Sequence, residues 1–184
     1  MKSVYIFVEG PNDAEFLRRI LPAELLTDAE VVTVDKGSGM PSLASSVLLR
    51  RKKPILVVMD ADSLNPNLIE ERQASTEELI RMANSSIPVK VVVAVPAMEA
   101  WLFAAPEAIG RALGQAVPSE FVPLGKRDPS GVLQHLAERN KTKWDFRRVL
   151  DLLDAHDIDR IRALPEVSDL CSFLKSVHKD DKAA

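Results

Sequence analysis

The chain has 184 residues, the length of one domain or of one domain with a helical appendage. Hydrophobic residues make up 46% and charged residues 28%, enough apolar material to bury a core. A formal net charge of −3 argues against a generally basic nucleic-acid binder, so any such contact has to be local.

Other simple classes fall away as well. Cys171 is the sole cysteine, which excludes a disulfide framework and a cysteine-based zinc site. His135, His156 and His178 are too scattered for ligand spacing. No apolar run approaches the ~20 residues that span a bilayer. MKSVYIFVEG runs straight into an acid and reads as a strand, not a signal peptide, and the expected location is the cytoplasm of a prokaryote.

In chain order, residues 3–8 (SVYIFV) form a buried strand stopped by Glu9-Gly10. A helix follows, with Ala14, Leu17, Ile20 and Leu21 at helical spacing and Pro22 as its terminator. Residues 30–35 are a second strand, ended by Lys36-Gly37-Ser38-Gly39. Residues 42–51 make a short helix with Leu43, Val47 and Leu48 on one side. PILVVMDADS (54–63) is apolar on both faces, as a central parallel strand should be. A helix over 68–83, running from Ile69 through Leu79, Ile80 and Ala83, leads to a fourth strand at 89–96. This alternation predicts a parallel four-stranded α/β sheet with helices on both faces. Strands then cease, and helices are expected at about 97–104, 106–113, 129–138, 144–154, 157–163 and 166–177. Pro106, Pro129 and Pro165 stand at helix starts. Residues 115–127 are the best loop or boundary candidate. The expected organisation is an α/β domain over 1–105 with a helical extension, 106–184, packed on it through Trp144, Phe146, Leu150 and Leu153.

The chemistry gathers at strand ends, where parallel α/β sheets bind ligands. Glu9 ends the first strand, Asp60 ends the third, and Asp62 lies in the turn beyond it. Residues i and i+2 at a strand end share a direction, so both aspartates are expected to face one ion. Singly each is an ordinary solvated acid. Together, three carboxylates crowded at one edge repel unless a cation compensates, and oxygen ligands of this hardness favour Mg²⁺ or Mn²⁺ over zinc. Lys36, Gly37, Ser38 and Gly39 form a turn whose backbone N–H groups suit a phosphate, although such turns are usually only turns. Glu99, just past the fourth strand, is either a further carboxylate at this edge or a glutamate placed by the helix dipole. In RNKTKWDFRR (139–148), Lys141 and Lys143 stand among basic and aromatic residues, a mixture that suits a nucleic-acid strand or a solvated helix start. Cys171 reads as core.

VEGPNDAEFLRRIL followed by VVMDADS resembles the Toprim fold of topoisomerases, primases, recombination mediators and overcoming-lysogenization-defect nucleases. That family places a glutamate after strand one, a glycine turn after strand two and Asp-x-Asp after strand three. The matching positions are Glu9, Gly37 and Gly39, and Asp60 and Asp62, within about residues 1–96. VPAMEAWLFA further resembles prokaryotic Toprim-like proteins of unassigned function in which Glu-x-Trp follows strand four, which adds weight to Glu99.

The resemblance implies Mg²⁺- or Mn²⁺-dependent phosphodiester chemistry on DNA or RNA, with Glu9 as general acid/base or ligand and the aspartates holding the metal. A nuclease acting in phage defence is the first expectation. A non-catalytic metal- or nucleotide-binding module working with a protein partner is the second. Tyr5, the sole tyrosine, lies inside strand one, and the chain has neither a primase-type zinc module nor a P-loop, so topoisomerase and stand-alone primase are disfavoured. A phosphoryl-accepting receiver domain would need an acidic pair after strand one, where only Glu9 stands.

Overall fold

The computed structural model describes residues 2–35 and 39–183, with side chains through His178. Four strands, β1 (Val4–Val8), β2 (Ala29–Thr33), β3 (Ile55–Asp60) and β4 (Val89–Ala94), pair in parallel in the order β2-β1-β3-β4. The continuous apolar runs become strands because both of their faces are covered. Val4, Ile6, Val8, Leu56, Val58, Val92 and Ala94 point into one core, and Tyr5, Phe7, Ile55, Val57, Met59, Val89, Val91 and Val93 into the other.

The second core is closed by α3 (Met40–Arg51) and α4 (Pro66–Arg81), through Met40, Ala44, Leu48 and Ile80. Leu43 and Leu79, expected on buried faces, are 42% and 56% exposed, because these helices bury only the narrow stripe that meets the sheet. α4 is also tied to the outer edge of β4. Gln73 Nε2 donates to the Val91 carbonyl (2.8 Å), Val91 N donates to Glu77 Oε2 (3.1 Å), and Arg81 Nη2 donates to the Val89 carbonyl (3.2 Å). These bonds satisfy an edge strand that would otherwise offer unpaired backbone, and they fix the rotation of α4.

The first core is larger. α1 (Pro11–Ile20) packs Ala14, Phe16, Leu17 and Ile20 onto the sheet. A short α2 (Ala23–Leu26) follows. After β4 come a 3₁₀ helix (Met98–Ala104), α5 (Pro106–Leu113), α6 (Phe121–Gly125), α7 (Pro129–Arg139), α8 (Phe146–Asp151), α9 (Ala155–Arg162) and α10 (Pro165–Ala183). One buried cluster runs without a break from Val8 and Val58 through Trp101, Leu133, Leu150 and Ile161 to Leu174. Val167, Leu170, Cys171, Leu174 and Val177 form the buried stripe of α10, and burial pushes the Cys171 thiol up.

The 115–127 segment differs from its expected form. Expected as a loop or boundary, it forms α6, which packs against α7 and the 3₁₀ helix. Gly125 lies so close to the Phe103 ring that a Cβ would approach it to 2.0 Å, so α6 is seated on the 3₁₀ helix at this one buried point while most of the stretch stays exposed. Among the described residues no helix is long and apolar enough to cross a membrane.

Candidate functional site

The strand order reverses at β1: the chain goes to β2 on one side and to β3 on the other. Such a switch point opens a crevice at the carboxyl ends of the two diverging strands. Glu9 is the first residue past β1, Asp60 is the last of β3, and Asp62 lies two residues on. The chain leaves β1 sharply because Gly10 takes φ +102°, a conformation open to glycine, and α1 starts at once. Glu9 is thereby held against the sheet with its side chain only 10% exposed.

Each carboxylate has a different environment. Asp60 is half-buried, and its Oδ1 accepts from Met98 N at 2.9 Å, which docks the start of the 3₁₀ helix on the end of β3. Glu9 Oε1 lies 3.9 Å from Arg72 Nη2, and Asp62 Oδ2 lies 3.4 Å from Arg72 Nη1. Arg72 Nη1 also donates to the Ala61 carbonyl at 3.0 Å. A single guanidinium from α4 therefore stands between Glu9 and Asp62. Glu9 Oε2 is buried and has no hydrogen-bond partner among the described residues. Leaving a buried acceptor unsatisfied costs about 1–3 kcal/mol, more for a charged one, so such an atom calls for an explanation.

The strand alternation from which Asp60 and Asp62 are expected to share a direction stops at Asp60. β3 ends at Asp60, and Asp62 adopts φ +52°, so the period-two alternation no longer applies there. Asp62 N instead donates to the Pro96 carbonyl (2.9 Å) and its side chain meets Arg72. Among the described residues no group of three or more His, Cys, Asp or Glu side chains is arranged to hold a metal ion. The contacts at this edge include Glu9–Arg72–Asp62 and Asp60–Met98 N.

Glu99 lies in the first turn of the 3₁₀ helix, one residue past the Asp60 contact, and is half-buried. Gly39 is exposed, with φ +77°, at the start of α3, while Lys36, Gly37 and Ser38 lie outside the described residues. Lys141 and Lys143 are exposed in the link between α7 and α8. They make no contact with the carboxylates, but their segment is anchored beside α1. Phe146 packs edge-on against Phe16 (5.6 Å between centroids), Phe16 meets Trp101 (6.2 Å), and Arg147 Nε pairs with Glu15 Oε2 at 3.0 Å. Phe16 is six residues past Gly10, about 9 Å along the helix at ~1.5 Å per residue.

Arg72, which reaches two of these carboxylates, is the site residue that sequence reasoning missed. The sequence did hold a trace of it: Gln73, Glu77 and Arg81 recur every four residues, the polar stripe that clamps β4 and turns Arg72 toward the strand ends. Comparison with family models, with curated proteins and with solved structures found no match to this chain.

Proposed function

We propose that this strand-end edge binds Mg²⁺ or Mn²⁺ and performs phosphodiester chemistry on nucleic acid, as a metal-dependent nuclease or a related phosphotransfer enzyme. The observation that carries the reading is Glu9 Oε2, a buried acceptor without a partner at the switch point of a parallel sheet, beside Asp60 and Asp62. The donor chemistry suits the ion, although the described carboxylates are not gathered into a set of three. The donors are carboxylate oxygens, which suit hard divalent cations, and the orphaned oxygen is what a ligand looks like when its cation is not counted.

When bound, the ion would polarise a phosphate oxygen and acidify a water. The chain's own contributions follow from geometry. Met98 N fixes the Asp60 carboxylate through Oδ1. Asp62, 47% exposed, is reachable from solvent. Glu9 Oε2 has no hydrogen bond to give up and is the oxygen suited to holding an ion or taking a proton. Glu99 starts beside Asp60 as a further carboxylate. Lys141 and Lys143, on the segment anchored to α1, would meet phosphates of a bound strand. A role in phage defence rests on the Toprim resemblance alone.

The second reading is a silent binding module, and Arg72 favours it, because a cation already stands between two of the acids. Incubation of the protein with single- and double-stranded DNA and RNA plus Mn²⁺ separates the two. The enzyme reading expects cleavage that Asp60→Ala abolishes, and that weakens with a smaller salt dependence in Lys141→Ala/Lys143→Ala. Metal binding without cleavage supports the module. Cleavage that survives Asp60→Ala removes the support for the enzyme.

A further inference from the structure

Arg72 is too well placed to be an incidental surface charge and too loosely bonded to be a finished salt bridge. Its backbone is fixed, since the adjacent Gln73 is bonded to β4. Its side chain is only partly fixed: Nη1 takes the Ala61 carbonyl at 3.0 Å, while the two carboxylates lie at 3.4 and 3.9 Å. Charge-assisted bonds between guanidinium and carboxylate normally close to about 2.7–2.9 Å. The guanidinium thus neutralises Glu9 and Asp62 from a distance without satisfying Glu9 Oε2. With 35% of its side chain exposed, Arg72 has solvent to move into while α4 stays in place.

We infer that Arg72 is the resident counter-cation of this edge and exchanges with a divalent ion: each occupies the space between Glu9 and Asp62, and binding of one releases the other. The inference rests on the metal-binding reading of the site and adds its regulation. Two carboxylates near each other need positive charge, and a guanidinium and a divalent ion in the same space repel. Arg72 therefore brings positive charge to the buried Glu9 in the metal-free edge. In return it weakens the apparent metal affinity, since the ion binds only the fraction of molecules in which the arginine has moved. The loss of Arg72 has a two-sided signature: a less stable metal-free protein that binds metal more tightly. A residue that merely orders the acids would weaken metal binding when lost, and one that only supports the fold would leave affinity unchanged.

The test is calorimetric titration of Mn²⁺ into wild type, Arg72→Gln and Arg72→Lys, with melting curves with and without Mn²⁺. Arg72→Gln is expected to bind Mn²⁺ about tenfold more tightly, the size of change that removing a competing charge produces. Arg72→Lys, a cation without the fork, should bind a few-fold more tightly. Arg72→Gln should melt below wild type without metal, and Mn²⁺ should close that gap. Equal or weaker Mn²⁺ binding by Arg72→Gln overturns the inference, and if that variant does not fold, equal or weaker binding by Arg72→Lys does so. Binding by Arg72→Gln but not by wild type upholds the exchange while removing the metal-dependent function proposed for the native chain. Binding by neither overturns both.

Discussion

Glu9 and Asp157 are both carboxylates removed from solvent and both face an arginine, but their surroundings differ in a way that separates structure from function. Asp157, 1% exposed at the start of α9, is tied into a closed set. Its Oδ2 accepts from Asp154 N at 3.0 Å and from Arg111 Nη2, while its backbone N–H donates to Asp154 Oδ1 at 2.9 Å. That is a reciprocal capping box with an arginine added, and Arg111 also donates to the Leu152 carbonyl at 2.9 Å. Among the described residues Glu9 has a distant guanidinium at Oε1 and no hydrogen-bond partner at Oε2. A satisfied buried carboxylate is a structural device. An unsatisfied one at a strand-end crevice is a candidate binding group.

The comparison can be broken by substitution at each end. Asp157→Ala should destabilise the protein by about 3 kcal/mol in chemical denaturation, because it removes the acceptor for Asp154 N in the capping box and strips the buried partner from Arg111. A loss below about 1 kcal/mol would mean that the closed set does little. Glu9→Gln should do the reverse, leaving metal-free stability unchanged or raising it by up to about 1 kcal/mol, since it removes a poorly compensated buried charge. If Glu9→Gln instead cost as much as Asp157→Ala, Glu9 would be structural and the contrast would collapse.

A smaller effect sharpens the picture. The Asp157 backbone N–H beside Asp154 holds that carboxyl below its usual value of 3.8. A folded-state value below the unfolded one gives stability that is present above the unfolded value and lost as pH falls through the folded one. The stability gap between wild type and Asp154→Asn should therefore be flat from about pH 6 to 8 and shrink below about pH 4. A gap independent of pH down to acid unfolding would remove the charged form of Asp154 from the cap.

The strands were legible in the sequence because runs such as ILVVM and VKVVVA have no solvent face to encode, and the acids at their ends came with them. Helices with a proline at the start, such as α5, α7 and α10, were legible for an equally local reason. What was not legible depended on distant partners. α6 exists because Phe103 accepts Gly125, which no local signal announces. Arg72 reaches the crevice because α4 is rotated by bonds to β4, residues that lie 8 to 18 positions away in the chain. The backbone at Asp62 was not legible either, because its φ is positive and periodicity arguments hold only while the strand lasts.

The proposed metal site turns on the Glu9 carboxylate being a cation ligand. Titration of Mn²⁺ into the protein, with the free ion read by electron paramagnetic resonance, addresses it directly when wild type and Glu9→Gln are compared at the same pH. Glutamine keeps the shape of the side chain and one acceptor but removes the charge. The account predicts saturable binding to wild type and an affinity at least about tenfold weaker in Glu9→Gln, with melting temperatures of the two metal-free proteins within a few degrees. Equal Mn²⁺ affinity in the two proteins would contradict it.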